Sequence, residues 1–182
     1  MKSLKLPLIL LLIFFCSVTT FAETKEEKAE RKRTEKIEKA QEDSVNYIMA
    51  KKSLQKMSFV IMADEIGTNI RNVFVDDNMN FIVSSPDKAM IQIVPLFAGF
   101  NGLNLKGSVT GHECEVNKKG DVFTTLDIFG STVTARISIT LYHGSNDARA
   151  MISPSFGRGD IVFKGKIFPL KVFPELINPL YE

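Results

Sequence analysis

The chain predicts a mainly β protein, an antiparallel meander closed into a small barrel or folded into a sandwich, preceded by one charged N-terminal α-helix. Three observations lead there. Apolar letters recur with a period of two through most of residues 57–170, tight turn signals separate those runs, and a densely charged segment stands in front of them.

The first element is a leader. Lys2 and Lys5 precede an apolar run from Leu6 to about Phe15, and Ser17, Thr19, Thr20 and Ala22 follow before charge resumes. This is the layout of a secretory signal peptide over residues 1–22, with cleavage expected after Ala22. The run is shorter than the roughly 18 to 20 apolar residues that cross a bilayer, so no transmembrane helix is expected after cleavage. Cys16 follows Phe14 and Phe15 rather than the small residue that lipoprotein processing needs, so acylation there is not expected. The expected location is the periplasm or cell envelope.

Cleavage would take Lys2 and Lys5 from the 23 basic residues, leaving 21 against 21 acidic ones. A neutral chain offers no net basic surface for nucleic acid, so no nucleic-acid partner is expected. Cys114 would be the single remaining cysteine, and stability then has to come from an apolar core rather than a disulfide. About 160 residues suffice for one such domain.

The second element is the charged helix, expected over residues 23–56. Residues 23–43 hold eight acids, seven bases and three apolar residues, Ala29, Ile37 and Ala40. Pairs such as Glu27 with Arg31 and Glu35 with Lys39 each support an isolated helix by about 0.2 to 0.5 kcal/mol, but this segment has no face to bury. Farther on, Val45, Ile48, Met49 and Lys52 recur at helical spacing, and this narrow stripe is where the helix is expected to dock.

The β domain is expected over residues 57–170. In STVTARISITL, Val133, Ala135, Ile137, Ile139 and Leu141 share one face while Thr134, Arg136, Ser138 and Thr140 share the other, the signature of a half-buried antiparallel strand. Shorter alternating runs lie at 57–62, 69–75, 80–83, 89–94, 104–109, 111–117, 122–128, 148–152 and 161–168. Turn signals fall between them: Asp76-Asp77-Asn78, Ser85-Pro86-Asp87, Asn101-Gly102, Lys119-Gly120-Asp121, Gly130-Ser131 and the run from His143 to Asp147. Nine or ten short strands with hairpin-length turns leave no room for crossover helices, which gives a lipocalin-like antiparallel barrel or a sandwich. Residues 171–182, broken by Pro174 and Pro179, read as an irregular tail over one end.

Three stretches resemble a family of short exported Bacteroidota proteins known as domain of unknown function 4251: NFIVSSPDKAMIQIVPLFAG, then NLKGSVTGHECEVNKKGD, and ITLYHGSNDARAMISP followed by FKGKIFPL. Asp87, Pro95, Phe97 and Gly99 match its aspartate turn and aromatic-glycine element, and Gly165, Ile167 and Pro169 match its short terminal strand. The chain departs from the pattern in the loop after Phe97 and near His112. The resemblance implies a fold and a compartment and supplies no catalytic residues.

Each candidate site has a plainer explanation. In GHECEV, alternation puts His112, Cys114 and Val116 on one face and Glu113 and Glu115 on the other, so these letters do not converge. His112 and Cys114 sit about 7 Å apart along a strand, and only His143 remains to help them hold zinc, which wants three or four ligands. Cys114 is expected instead to lie in the core as a small hydrophobe, with His112 near the barrel mouth. Glu113 and Glu115 on one strand face read as its wet side rather than as a glycosidase pair, which needs two different environments. Ser145 between His143 and Asp147 is explained by a turn, and no strained nucleophile elbow is present. Arg158-Gly159-Asp160 reads as a glycine-rich hairpin.

What remains is apolar. The chain has 14 phenylalanines and no tryptophan. A small barrel either fills its interior with such residues or holds one small apolar ligand. Pro95, Phe97 and Phe100, in the segment 94–102, are the candidate ligand-binding residues. The expected function is that of an exported, non-catalytic envelope protein that binds a small apolar ligand or engages an envelope partner through its charged helix. No catalytic residue, metal or cofactor is expected.

Overall fold

The structure is a computed structural model that describes residues 25–68, 70–76, 79–98, 100–131, 133–155 and 159–181. The expected signal peptide, its cut after Ala22, and Cys16 lie outside these residues.

Helix α1 runs Lys25–Gln55. Glu26 and Glu27 in its first turn and Lys52 in its last complement the helix dipole, and Arg31 pairs with Glu35 one turn on. Every residue from 25 to 42 is exposed. At its end Met57 takes a left-handed conformation (φ 54°). The Ser58 N–H then donates to the Ser53 carbonyl, and the Met57 N–H to that of Leu54. This is a Schellman cap with methionine where glycine is usual.

The helix docks by a different face from the one its apolar letters suggest. Tyr47, Ala50, Ser53 and Leu54 are buried. Val45, Ile48 and Met49, at 55%, 48% and 41% exposure, lie on the opposite side of the turn. The reason is chemical fit: Tyr47 brings a ring with a hydrogen-bonding tip, Ala50 allows close approach, and Leu54 fills the core.

Among the described residues nine strands make one antiparallel sheet: β1 Phe59–Gly67, β2 Asn72–Phe74, β3 Phe81–Ser84, β4 Lys88–Ile93, β5 Leu103–Val116, β6 Val122–Gly130, β7 Thr134–Leu141, β8 Asp147–Pro154 and β9 Ile161–Pro169. From β3 to β9 each strand pairs with its neighbour in sequence. β9 then returns to β1, with Ile61 opposite Ile167 and Ile66 opposite Phe163. Eight strands thus close a barrel rather than a sandwich, and β2 is an extra strand on the far half of β1. Bulges between Ala63 and Glu65 in β1, and between Val109 and Gly111 in β5, bend the wall. The second bulge lets one continuous strand span what alternation alone reads as two, 104–109 and 111–117.

Inward residues alternate along the wall as expected: Val122, Thr124, Leu126 and Ile128 on β6, Ile137, Ile139 and Leu141 on β7, and Ile161, Phe163 and Ile167 on β9 are all buried. All of these but Thr124 form one apolar cluster with Phe59, Ile61, Ile82 and Ile91. Tyr47, Ala50 and Leu54 join it where the helix leads into β1, and Leu96, Phe100 and Val75 pack on it from the opposite end of the strands. The interior is therefore filled with side chains and overlaid at both ends.

β1 and β3 break the alternation because both of their faces are buried. Val60, Met62, Phe81, Val83 and Met90 point outward into a second cluster made with Leu170 and Leu180. The tail that supplies those leucines is ordered. Two 3-10 turns, Leu170–Val172 and Pro174–Leu176, lead into a short helix α2, Ile177–Tyr181. Pro174 opens the second 3-10 turn and Pro179 lies within the first turn of α2, where its missing N–H is tolerated, so the chain stays folded against the wall.

Candidate functional site

The segment 94–102 follows β4 and turns back into β5. Phe97 and Phe100 form an isolated bridge, with the Phe100 N–H donating to the Phe97 carbonyl at 3.0 Å. Their rings lie 5.6 Å apart in a tilted pair, and the Arg71 guanidinium sits 4.1 Å from the centre of the Phe97 ring. Phe97 and Phe100 are half-buried and Pro95 is exposed. Gly102, with φ 77°, closes the turn; a Cβ there would meet the Ile93 carbonyl at 2.3 Å. The three nominated residues thus share one loop, but two of them spend their faces on each other, on Arg71 and on the core. Gly99 lies outside the described residues.

The GHECEV run keeps its expected alternation but not its expected burial. His112 and Val116 are exposed, and Cys114 is half-buried, accepting a hydrogen bond from the Thr124 hydroxyl at 3.4 Å. β4 begins opposite Ser108, so residues 111–116 of β5 pair with β6 alone, and their inner face has no neighbour on the other side. Cys114 is free and stands at the edge of the core rather than inside it. Glu113 and Glu115 are exposed on the outer face. Beside Glu113, Arg136 forms a two-pronged pair with Asp127 at 2.8 and 3.0 Å, which holds the Asp127 carboxyl below its usual range. Among the described residues no three His, Cys, Asp or Glu side chains come together as a metal site would require.

The remaining sequence candidates are accounted for by turns. The Ser145 hydroxyl donates to Asp147 at 2.9 Å, and the Asp147 N–H donates back to it. His143 points elsewhere, its ring edge-on to Tyr47 with centroids 5.1 Å apart. Asp160 accepts from Ser153 at 2.6 Å, while Arg158 lies outside the described residues.

Sequence reading missed one polar cluster. The Tyr47 hydroxyl donates to the Gly120 carbonyl. Asp121 accepts from the His143 N–H at 3.0 Å and from the Asn117 side chain at 2.9 Å, which lower its carboxyl below the usual value. Burial first, and then the Asp121 charge, raises the Tyr47 phenol. The cluster ties α1 to the β5–β6 and β7–β8 hairpins. Apart from Tyr47 on α1, its members are turn letters in the sequence, and nothing local distinguishes them.

A family model described as domain of unknown function, DUF4251, matches residues 41–167. No curated protein matches the chain. Among solved structures the chain is similar to the crystal structure of a DUF4251 family protein from Bacteroides eggerthii, at 26% sequence identity and a TM-score of 0.66. That similarity covers 73% of this chain and 93% of the other.

Proposed function

This chain belongs to the DUF4251 family, whose function is unknown, and on that footing we propose that it is an exported, non-catalytic protein of the bacterial envelope that acts by engaging a protein partner. The filled barrel carries this reading. Phe59, Phe163, Ile61, Leu126, Ile137 and Ile139 are at most 1% exposed inside the wall, so a ligand in the barrel would have to displace the core, at several kcal/mol per large side chain. The small-ligand reading is left with the loop at Pro95, Phe97 and Phe100, whose aromatic faces are already occupied.

The charged helix supports the partner reading. Residues 25–42 are exposed all round and carry both signs of charge, a composition suited to pairing with a complementary charged surface. The leader sequence around Lys2, Lys5 and the run from Leu6 supports export, and among the described residues no helix is long and apolar enough to cross a membrane. The dispersal of His112, Cys114, Glu113 and Glu115 supports a role without catalysis.

A photocrosslinking residue at Lys32 or Lys36, in cells, tests this. We expect one discrete protein adduct that disappears when 150 mM salt is raised to about 1 M, where the screening length shrinks to about 3 Å, while the same probe at Lys106 on the barrel wall gives none. Adducts of equal yield from all three positions, or none from the helix, would overturn the reading.

A further inference from the structure

A cleft of about 240 Å³ lies where the last turns of α1 meet the junction of β9 and the tail. Three lysines border it, Lys52, Lys56 and Lys171, and no carboxylate does. None of the three makes a salt bridge among the described residues. The C-terminal end of α1 contributes roughly half a negative charge, which leaves a local excess of about two and a half positive charges. With three lysines on its lining and no carboxylate, the cleft favours an anion over a cation.

The same cleft has an apolar side. Met49 and Pro169 line it, and Val45, one helical turn before Met49, extends the apolar strip along the exposed face of α1. The Ser58 hydroxyl borders the cleft with no hydrogen bond of its own among the described residues, so a donor is available beside the lysines. At about 240 Å³ the cleft is smaller than the roughly 300 to 1,000 Å³ that enclose a whole drug-sized ligand. It fits a headgroup and its first methylenes, with the chain continuing over Met49 and Val45.

We propose that this cleft binds a single-chain anionic amphiphile, its phosphate or carboxylate head held by Lys52, Lys56 and Lys171 and its alkyl chain laid along Met49 and Val45. None of the residues that line the cleft belongs to the segment 25–42 of the partner reading, and the proposal stands or falls without that reading.

Titration of the purified protein with dodecyl phosphate below its micelle concentration tests the proposal. We expect saturable one-to-one binding, weakened at least tenfold in the double variant Lys52→Gln/Lys171→Gln and unchanged in Lys106→Gln on the barrel wall. Inorganic phosphate and dodecanol should each bind at least tenfold more weakly than dodecyl phosphate, because each offers half of the chemistry. Binding unaffected by the double variant, equal binding of inorganic phosphate, or binding only to anionic phospholipid vesicles with none of the monomer would each overturn it. The variants change exposed side chains, and an unchanged thermal midpoint confirms that their fold is retained.

Discussion

Tyr47 on α1 donates its hydroxyl to the Gly120 carbonyl, 73 positions away at the tip of the β5–β6 hairpin. The ring is buried against the core and edge-on to His143, so a single side chain joins helix, barrel end and two hairpin tips. Tyr47→Phe keeps the ring and removes the bond, and is expected to cost about 1 kcal/mol. Tyr47→Ala also opens a cavity and is expected to cost about 3 kcal/mol or more. Urea unfolding of both variants checks this: a Tyr47→Phe midpoint equal to that of the parent would mean that the hydroxyl contributes nothing, and equal losses in the two variants that the ring contributes nothing.

Gly165 is where β9 passes closest to β1. A Cβ at this position would lie 1.9 Å from the Met62 carbonyl oxygen and 2.9 Å from the Ala63 Cα, both backbone atoms next to the β1 bulge. Neither can swing aside as a side chain would, so Gly165→Ala has to part the seam that closes the barrel. The expected loss is about 3 kcal/mol, the upper part of the range for overpacking. At Gly111 the nearest atom to a new Cβ would be the Asp127 carboxylate at 3.2 Å, on a side chain with some freedom. Gly111→Ala is therefore expected to lose under about 1 kcal/mol, and thermal midpoints of the two variants rank the sites.

How far the sequence could be read depended on whether neighbours in space were also neighbours in pattern. Ile137, Ile139 and Leu141 point inward because alternation along a strand is local, and the hairpin turns at Gly120 and Gly144 follow from residues adjacent in sequence. The docking face of α1 did not follow, because counting apolar letters favours Val45, Ile48 and Met49, whereas the barrel end selects Tyr47 for its hydroxyl and Ala50 for its size. Alternation puts Cys114 in the core, but burial there depends on where β4 begins, which is a fact about another strand. The loop around Phe97 marks it as a binding residue; its stacking partner Arg71 sits in the β1–β2 turn, and no spacing rule links the two.

Acid should weaken this protein through three identifiable carboxylates. Asp87 is held below the usual range chiefly by the Tyr181 hydroxyl and then by Ser85, Asp121 by the His143 N–H and then Asn117, and Asp127 by Arg136. A carboxyl whose value is lower folded than unfolded stabilises the fold above its unfolded value, near pH 3.9, and that contribution is lost as pH falls through the folded value. Urea midpoints should therefore hold from pH 6 to about pH 5 and decline below about pH 4. In Asp127→Asn the decline should be shallower, since one of the three groups no longer titrates. A midpoint that stays level to pH 2.5, or a variant slope equal to that of the parent, would show that these pairs do not discriminate between folded and unfolded chains.

The tail is expected to contribute to stability. Leu180 is fully buried against Val60, Phe81 and Met90, and the neighbouring Tyr181 donates to Asp87 at 2.9 Å and lies 3.1 Å from the Ser85 hydroxyl. Without this cover, β1 and β3 would turn Val60, Met62, Phe81 and Val83 toward water. Leu180→Ala is expected to cost about 2 to 4 kcal/mol, and Tyr181→Phe about 1 kcal/mol because its bonds are partly exposed. Limited proteolysis separates loss of the tail from loss of the barrel. In Leu180→Ala the peptide bonds after Lys171 and Glu175 should become susceptible while residues 57–170 stay intact, and wild-type resistance at both would mean that the helix holds without its buried leucine.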